Sequence, residues 1–199
     1  MSATAVTHRH PRIPGDEVTA FVLAGGKGER VRSVLGDTPK VLAPIGRAPF
    51  IVQLLRFLVG QGIDRFVVCT GYAAAEVEQV VEWSNVAQRV TFSRESEPLG
   101  TGGALRRALH KTQCKAVLAI NADTMCALAI DRLLAFHRSN QADWSVVVAE
   151  VPDCSRFGRV EFAADGRITA FGEKPPAHTP GWVSAMCRMV RISRAGSGR

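Results

Sequence analysis

The sequence predicts an α/β protein in which a mostly parallel sheet passes into a smaller antiparallel part. Three observations carry this. Short β-branched runs alternate with helix-period stretches of about 10 to 15 residues between Val18 and Glu150. Several of the loops between them are rich in glycine or carry an isolated carboxylate. After residue 150 the rhythm shortens around Asp165-Gly166, a strong hairpin signal. Alternation with connections of that length gives parallel strands joined by right-handed crossovers.

Taken in order, Val18-Thr-Ala-Phe-Val-Leu-Ala24 reads as a buried strand, and Gly25 to Gly28 as a glycine-rich loop. Pro49 opens a helix whose Ile51, Leu54, Leu55, Leu58 and Val59 fall on one stripe, closed by Gly60 and Gly62. Arg65 to Thr70 is the next strand, followed by a helix carrying Val77, Val80 and Val81. Val90 to Ser93 and Thr101 to His110 supply a third strand and helix. Ala116 to Ile120 is a strand with Asn121 and Asp123 beyond it, Ile130 to Ser139 a helix, and Trp144 to Glu150 a strand. Val160 to Phe162 and Arg167 to Phe171 then pair across the Asp165-Gly166 turn. No internal repeat or low-complexity segment is present.

Composition agrees with a globular chain. Of 199 residues 46% are apolar and 22% charged, enough to bury about 70% of the unfolded surface, and no apolar run approaches a bilayer-spanning length. Four of the 25 Lys and Arg behind the net charge of +7 (Arg188, Arg191, Arg194 and Arg199) fall in the last 14 residues, leaving a mildly basic body. That charge suits phosphorylated small molecules, and nucleic acid is a distant prospect without interleaved aromatics. Five widely spaced cysteines suggest neither disulfides nor a zinc site, and with no secretory signal the expected compartment is the cytoplasm.

In open parallel sheets ligands bind beyond the carboxyl ends of the strands. The loop after the first strand reads Leu23-Ala-Gly-Gly-Lys-Gly-Glu-Arg30-Val-Arg32, which is neither a Walker A sequence nor GxGxxG. Its glycines let backbone N–H groups approach an anion. Lys27, Arg30, Arg32 and Lys40 lie within 14 residues, favouring a polyanion site over a solvated basic face. The loop Glu95-Ser-Glu97-Pro-Leu-Gly-Thr-Gly-Gly103 has more glycine than a helix cap at Thr101 needs, and Glu97 can accept hydrogen bonds from a heterocycle. Asp123 is equally a turn residue or a Mg²⁺ ligand. Glu173-Lys174 on its own reads as a surface charge pair.

Four ordered segments resemble the sugar-1-phosphate nucleotidylyltransferase family: Leu23 to Arg32, Asp37-Thr-Pro-Lys-Val-Leu-Ala-Pro44, Glu97-Pro-Leu-Gly-Thr-Gly-Gly-Ala104 and Glu173-Lys-Pro175. The likeness spans about Val18 to Ala185. The third segment is most similar to the branch making GDP-sugars, the D-glycero-D-manno-heptose 1-phosphate guanylyltransferases and then the mannose-1-phosphate guanylyltransferases. The resemblance implies the Rossmann-like nucleotide-diphospho-sugar transferase fold, with helices on both faces of the sheet. It divides residues 18–185 into a nucleotide-binding half (18–150) and a sugar-binding part (151–185), between a disordered tail (1–17) and an atypical basic tail (186–199).

It further implies that GTP and a heptose- or mannose-type sugar 1-phosphate are the substrates and Mg²⁺ the cofactor. Gly25, Gly26 and Gly28 would cradle the triphosphate, with Leu23 also binding the nucleotide, Arg30 would stabilise the leaving pyrophosphate, and Lys40 would hold charge at the reacting centre. Glu97, Gly102 and Gly103 would read the base, and Asp123 would bind the metal. Gly158 and Glu173 would face the sugar, with Lys174 on its phosphate. No nucleic acid or membrane partner is expected; homo-oligomerisation is left open. His110 and His137 read as ordinary helix residues. Members of the family carry a late aspartate that completes the metal site, whereas no Asp or Glu follows Glu173 here and Met186 stands where a glycine is usual. The ending therefore reads as a truncation or a shifted reading frame. The rival function is a catalytically impaired nucleotide-sugar binding or regulatory protein.

Overall fold

The computed structural model describes residues 10–26, 38–126, 128–173 and 175–192, with the side chain of Met186 left out of the description. The expected α/β class holds. Strands β1 (Val18–Leu23), β4 (Phe66–Thr70), β5 (Val90–Arg94) and β6 (Ala116–Asn121) lie parallel in the order β5-β4-β1-β6. Crossovers between them contain helices α1 (Phe50–Gly60), α2 (Ala74–Glu82) and α3 (Gly100–Leu109); α4 (Ile130–Ser139) follows β6. A two-stranded ribbon of β2 (Pro44–Ile45) and β3 (Ala48–Pro49), unforeseen in the sequence, leads into α1.

β1, β4 and β6 are near-continuous apolar runs because both faces of the sheet are covered there, whereas the edge strand β5 is partly exposed. On one face Val18, Ala20 and Val22 of β1 pack with Leu54, Leu55 and Leu58 of α1, Val77 and Val81 of α2, and Leu133 and Leu134 of α4. On the other, Phe21, Val67 and Val117 meet Ala104 and Ala108 of α3. Each large side chain removed from water this way contributes roughly 1.5–3 kcal/mol before ordering costs. His137 sits within this packing, 3% exposed, its Nδ1 2.9 Å from Ser145 Oγ.

The antiparallel part continues the same sheet. Strand β10 (Gly181–Arg191) pairs with β6 and with β7 (Trp144–Val151), and then with β8 (Arg159–Phe162), which forms a hairpin with β9 (Ile168–Gly172). The hairpin turns at Asp165-Gly166 as expected, with Gly166 at φ +83° and its N–H donating to Ala163 O.

Two expectations about the ends are corrected. Residues 186–191 continue β10 rather than starting a tail: Cys187 and Met189 are 4% and 0% exposed and pair with Ile120 and Leu118 of β6. The alternation Cys187-Arg-Met189-Val supplies one buried face, which outweighs Arg188 on the other face and Arg191 at the exposed end of the strand. At the front, Ile13 is 5% exposed and bridges to Ile63, and Arg12 forms an ion pair with Asp64 at 2.5 Å, so residues 10–17 are built into the domain. Among the described residues no helix is long and apolar enough to cross a membrane.

Candidate functional site

The carboxyl ends of β1, β4, β5 and β6 open into one cleft of about 330 Å³, where the topology places ligands. Leu23, Ala24, Gly25 and Gly26 leave β1 along one wall, and Cys69 lies one residue before the end of β4. Glu95 follows β5, Asn121 and Asp123 follow β6, and the first turn of α3 contributes Gly100 and Thr101. Lys40 and Val41 reach in from a 3-10 turn, Lys40–Leu42, anchored by the buried Val41.

Leu23, Gly25, Gly26, Lys40 and Asp123, singled out in the sequence, therefore surround one space. Gly28 and Arg30 lie outside the described residues, as does Lys174. Glu97, Gly102 and Gly103 are not among the cleft-lining residues: Glu97 is exposed, and a side chain at Gly103 would press on Leu99, its added Cβ falling 2.7 Å from Leu99 Cβ. Gly158 and Glu173 flank the paired residues Arg159 and Gly172, so they stand together at the open end of the β8–β9 hairpin, likewise outside the cleft lining.

Sequence reasoning did not single out Glu95. Its N–H donates to Thr70 O at 2.9 Å, extending the parallel ladder one residue past β5, and this keeps its side chain in sheet register. Its carboxylate sits in a notch between Gly25 and Gly71. Cβ atoms added there would lie 2.6 and 3.0 Å from Oε1. Glu95 Oε2 accepts the Leu99 N–H at 3.3 Å, leaving further acceptor capacity toward the cleft. Gly100, at φ +67°, makes the turn from this loop into α3, a conformation that favours glycine.

Lys40 and Asp123 form the charged centre of the cleft. Lys40 Nζ donates to Asp123 Oδ2 at 2.8 Å, and Thr124 Oγ1 donates to Oδ1 at 3.1 Å. Burial works to raise the Asp123 carboxyl, but the Lys40 hydrogen bond and charge and the Thr124 hydroxyl outweigh it and hold it below the usual carboxylate range. The acid is ionised at neutral pH. Cys69 is the opposite case. Burial, and then the charge of Glu95, push its thiol up to about 12, so it is no thiolate nucleophile.

Among the described residues no cluster of three or more His, Cys, Asp or Glu could cage a metal. The Asp123 carboxylate and the neighbouring Asn121 offer hard oxygen donors at the cleft floor. That set suits Mg²⁺, which binds through one or two carboxylates and takes its remaining ligands from water and phosphate.

The family described as nucleotidyl transferase matches residues 19–187. The chain is 36% identical over 155 residues to a D-glycero-alpha-D-manno-heptose 1-phosphate guanylyltransferase of Aneurinibacillus thermoaerophilus, covering 78% of this chain and 67% of the relative. It is 32% identical over 187 residues to the mannose-1-phosphate guanylyltransferase of Mycobacterium tuberculosis, covering 92% of this chain but only 52% of the relative. The chain thus spans about two thirds of the first relative's length and about half of the second's. Among solved structures, HddC from Yersinia pseudotuberculosis superposes with a TM-score of 0.76 at 30% identity, over 87% of this chain and 76% of that one. Its complex with GMP-PN gives a TM-score of 0.75.

Proposed function

Because the chain belongs to the nucleotidyl transferase family, we propose that it is a guanylyltransferase that joins GTP to a heptose- or mannose-type sugar 1-phosphate, giving a GDP-sugar and pyrophosphate. The observation that carries this reading is the single cleft in which the backbone of Gly25 and Gly26, the ammonium of Lys40 and the carboxylates of Glu95 and Asp123 converge. Its relatives named as heptose and mannose 1-phosphate guanylyltransferases support the choice of substrates. Five free cysteines suit a reducing cytoplasm.

In the proposed reaction a phosphate oxygen of the sugar 1-phosphate attacks the α-phosphorus of GTP in line, and the bond to the β-phosphate oxygen breaks. With a second pKa of about 6 the attacking phosphate is already ionised near pH 7, so no general base is needed. The work left to the protein is positioning and charge stabilisation. The open backbone at Gly25 and Gly26 admits the phosphates closely, and Lys40 offsets negative charge at the reacting centre. Glu95, in its notch, accepts from the N1–H and 2-amino donors of guanine, a role the sequence suggested for Glu97. Asp123 holds Mg²⁺, which when bound neutralises phosphate charge. Gly28, Arg30 and Lys174 keep the phosphate-binding roles that the resemblance assigns them. Gly158 and Glu173, at the hairpin mouth, are the sugar-facing candidates.

A pyrophosphate-release assay with each of the four ribonucleoside triphosphates, Mg²⁺, and heptose or mannose 1-phosphate tests the proposal. Release is expected with GTP, and Lys40→Ala and Asp123→Ala are each expected to lower it about 10²-fold or more, the scale of lost charge stabilisation in a preorganised site. Turnover with UTP alone, or rates unchanged in both variants, would contradict it.

A further inference from the structure

In the cleft both oxygens of Asp123 have partners within the protein: Oδ2 accepts from Lys40 at 2.8 Å and Oδ1 from Thr124 at 3.1 Å. The carboxylate assigned to the metal is thus neutralised by a cation the protein itself supplies. A divalent ion at Oδ2 and an ammonium within hydrogen-bond distance of the same atom would repel one another, so the two compete for one place. The contact is also easy to exchange. The side chains are 39% and 38% exposed, and solvent-screened pairs of that kind hold weakly. The backbone of Lys40 is fixed by its 3-10 turn and the buried Val41, whereas its four-carbon stem can swing without moving that turn. The same cleft is where a triphosphate would lie, and it offers the ammonium a more highly charged partner than a single carboxylate.

We propose that Lys40 is an internal placeholder for the metal: it occupies Asp123 until a triphosphate draws it away, so metal binding at Asp123 is conditional on nucleotide. The inference rests on the reading of Asp123 as the metal ligand and adds an order to it. Free divalent cation binds weakly to the nucleotide-free protein, and nucleotide and metal strengthen one another's binding by the same factor, as linkage requires. Lys40 thereby has two successive partners, the carboxylate at rest and phosphate oxygens in the complex.

The test uses Mn²⁺ alone as the probe, its free concentration followed by electron paramagnetic resonance in the absence of nucleotide. Lys40→Met and Lys40→Gln each remove the ammonium while keeping a long side chain. Both are expected to bind Mn²⁺ about tenfold more tightly than the unaltered protein, within the usual range of coupling between sites. In an Asp123→Asn background the gain should vanish. A slowly hydrolysed GTP analogue should bring the unaltered protein close to the Lys40 variants. Equal Mn²⁺ affinity in the unaltered protein and both Lys40 variants, or a gain that survives Asp123→Asn, overturns the placeholder. Pyrophosphate release from GTP alongside such equal affinities would sink the placeholder and leave the guanylyltransferase reading standing. A tenfold gain in a protein that binds no guanine nucleotide would support the competition at Asp123 and sink that reading.

Discussion

At the scale of single residues, two glutamates two positions apart show what spacing can convey. Glu95 and Glu97 share one loop, and their composition is the same. Only Glu95 continues the hydrogen-bond ladder of β5, through its N–H to Thr70 O, and only it lines the cleft. The signal available in the sequence was its place directly after a strand, which fixes orientation, whereas Glu97 lies past the ladder's end. Glu95→Gln keeps the shape and replaces half of the acceptor edge with an unmatched donor. It is expected to weaken GTP binding about tenfold or more, measured by calorimetric titration, as for loss of a hydrogen bond to a charged group. Glu97→Gln should leave the affinity unchanged. Lys40 and Asp123 were easier to read because Lys40 falls in a segment that resembles the family and Asp123 stands just past a hydrophobic strand, where a turn residue was an equal alternative. Their mutual contact was not legible, since 83 positions separate them and only the folded sheet brings them together.

At the scale of elements, the central strands of the parallel half were legible as apolar runs and α1 and α2 as helices with one apolar stripe each. Strand β10 was not. Its arginines suggested a solvated tail, while the two-residue alternation that buries Cys187 and Met189 against β6 was the better guide. Elsewhere charge ties elements together. Glu78 of α2 accepts from Thr70 of β4 at 2.6 Å and from Arg94 of β5 at 2.5 and 3.0 Å. Burial works to raise this carboxyl, but the hydrogen bonds from Arg94 and Thr70 and the Arg94 charge outweigh it and hold it low. A carboxyl depressed in the folded state contributes stability above its unfolded pKa, about 4.3 for Glu, and loses it as pH falls through the lower folded value. Urea midpoints of the unaltered protein should therefore fall below about pH 4.3, and Glu78→Gln should flatten part of that acid limb while lowering the midpoint at neutral pH.

At the scale of the whole molecule, eight of the strands form one continuous sheet, apart from the β2–β3 ribbon, and in it β10 joins the parallel strands to the β8–β9 hairpin. After the change of rhythm at residue 150 every strand pairing is antiparallel, and β9 and β10 run opposite to the parallel strands. The net charge of +7 suits two phosphorylated substrates, and the cleft at the strand ends is where the fold concentrates the backbone donors, Lys40 and Asp123. The central claim, that a guanosine triphosphate occupies this cleft, is tested most directly by photolabelling with azido-guanosine triphosphate and mapping the modified peptides. We expect label on the segments around residues 23–26 and 95–104, protected by excess GTP. Label that GTP does not displace, or label confined to segments away from the ends of β1, β4, β5 and β6, would contradict the account.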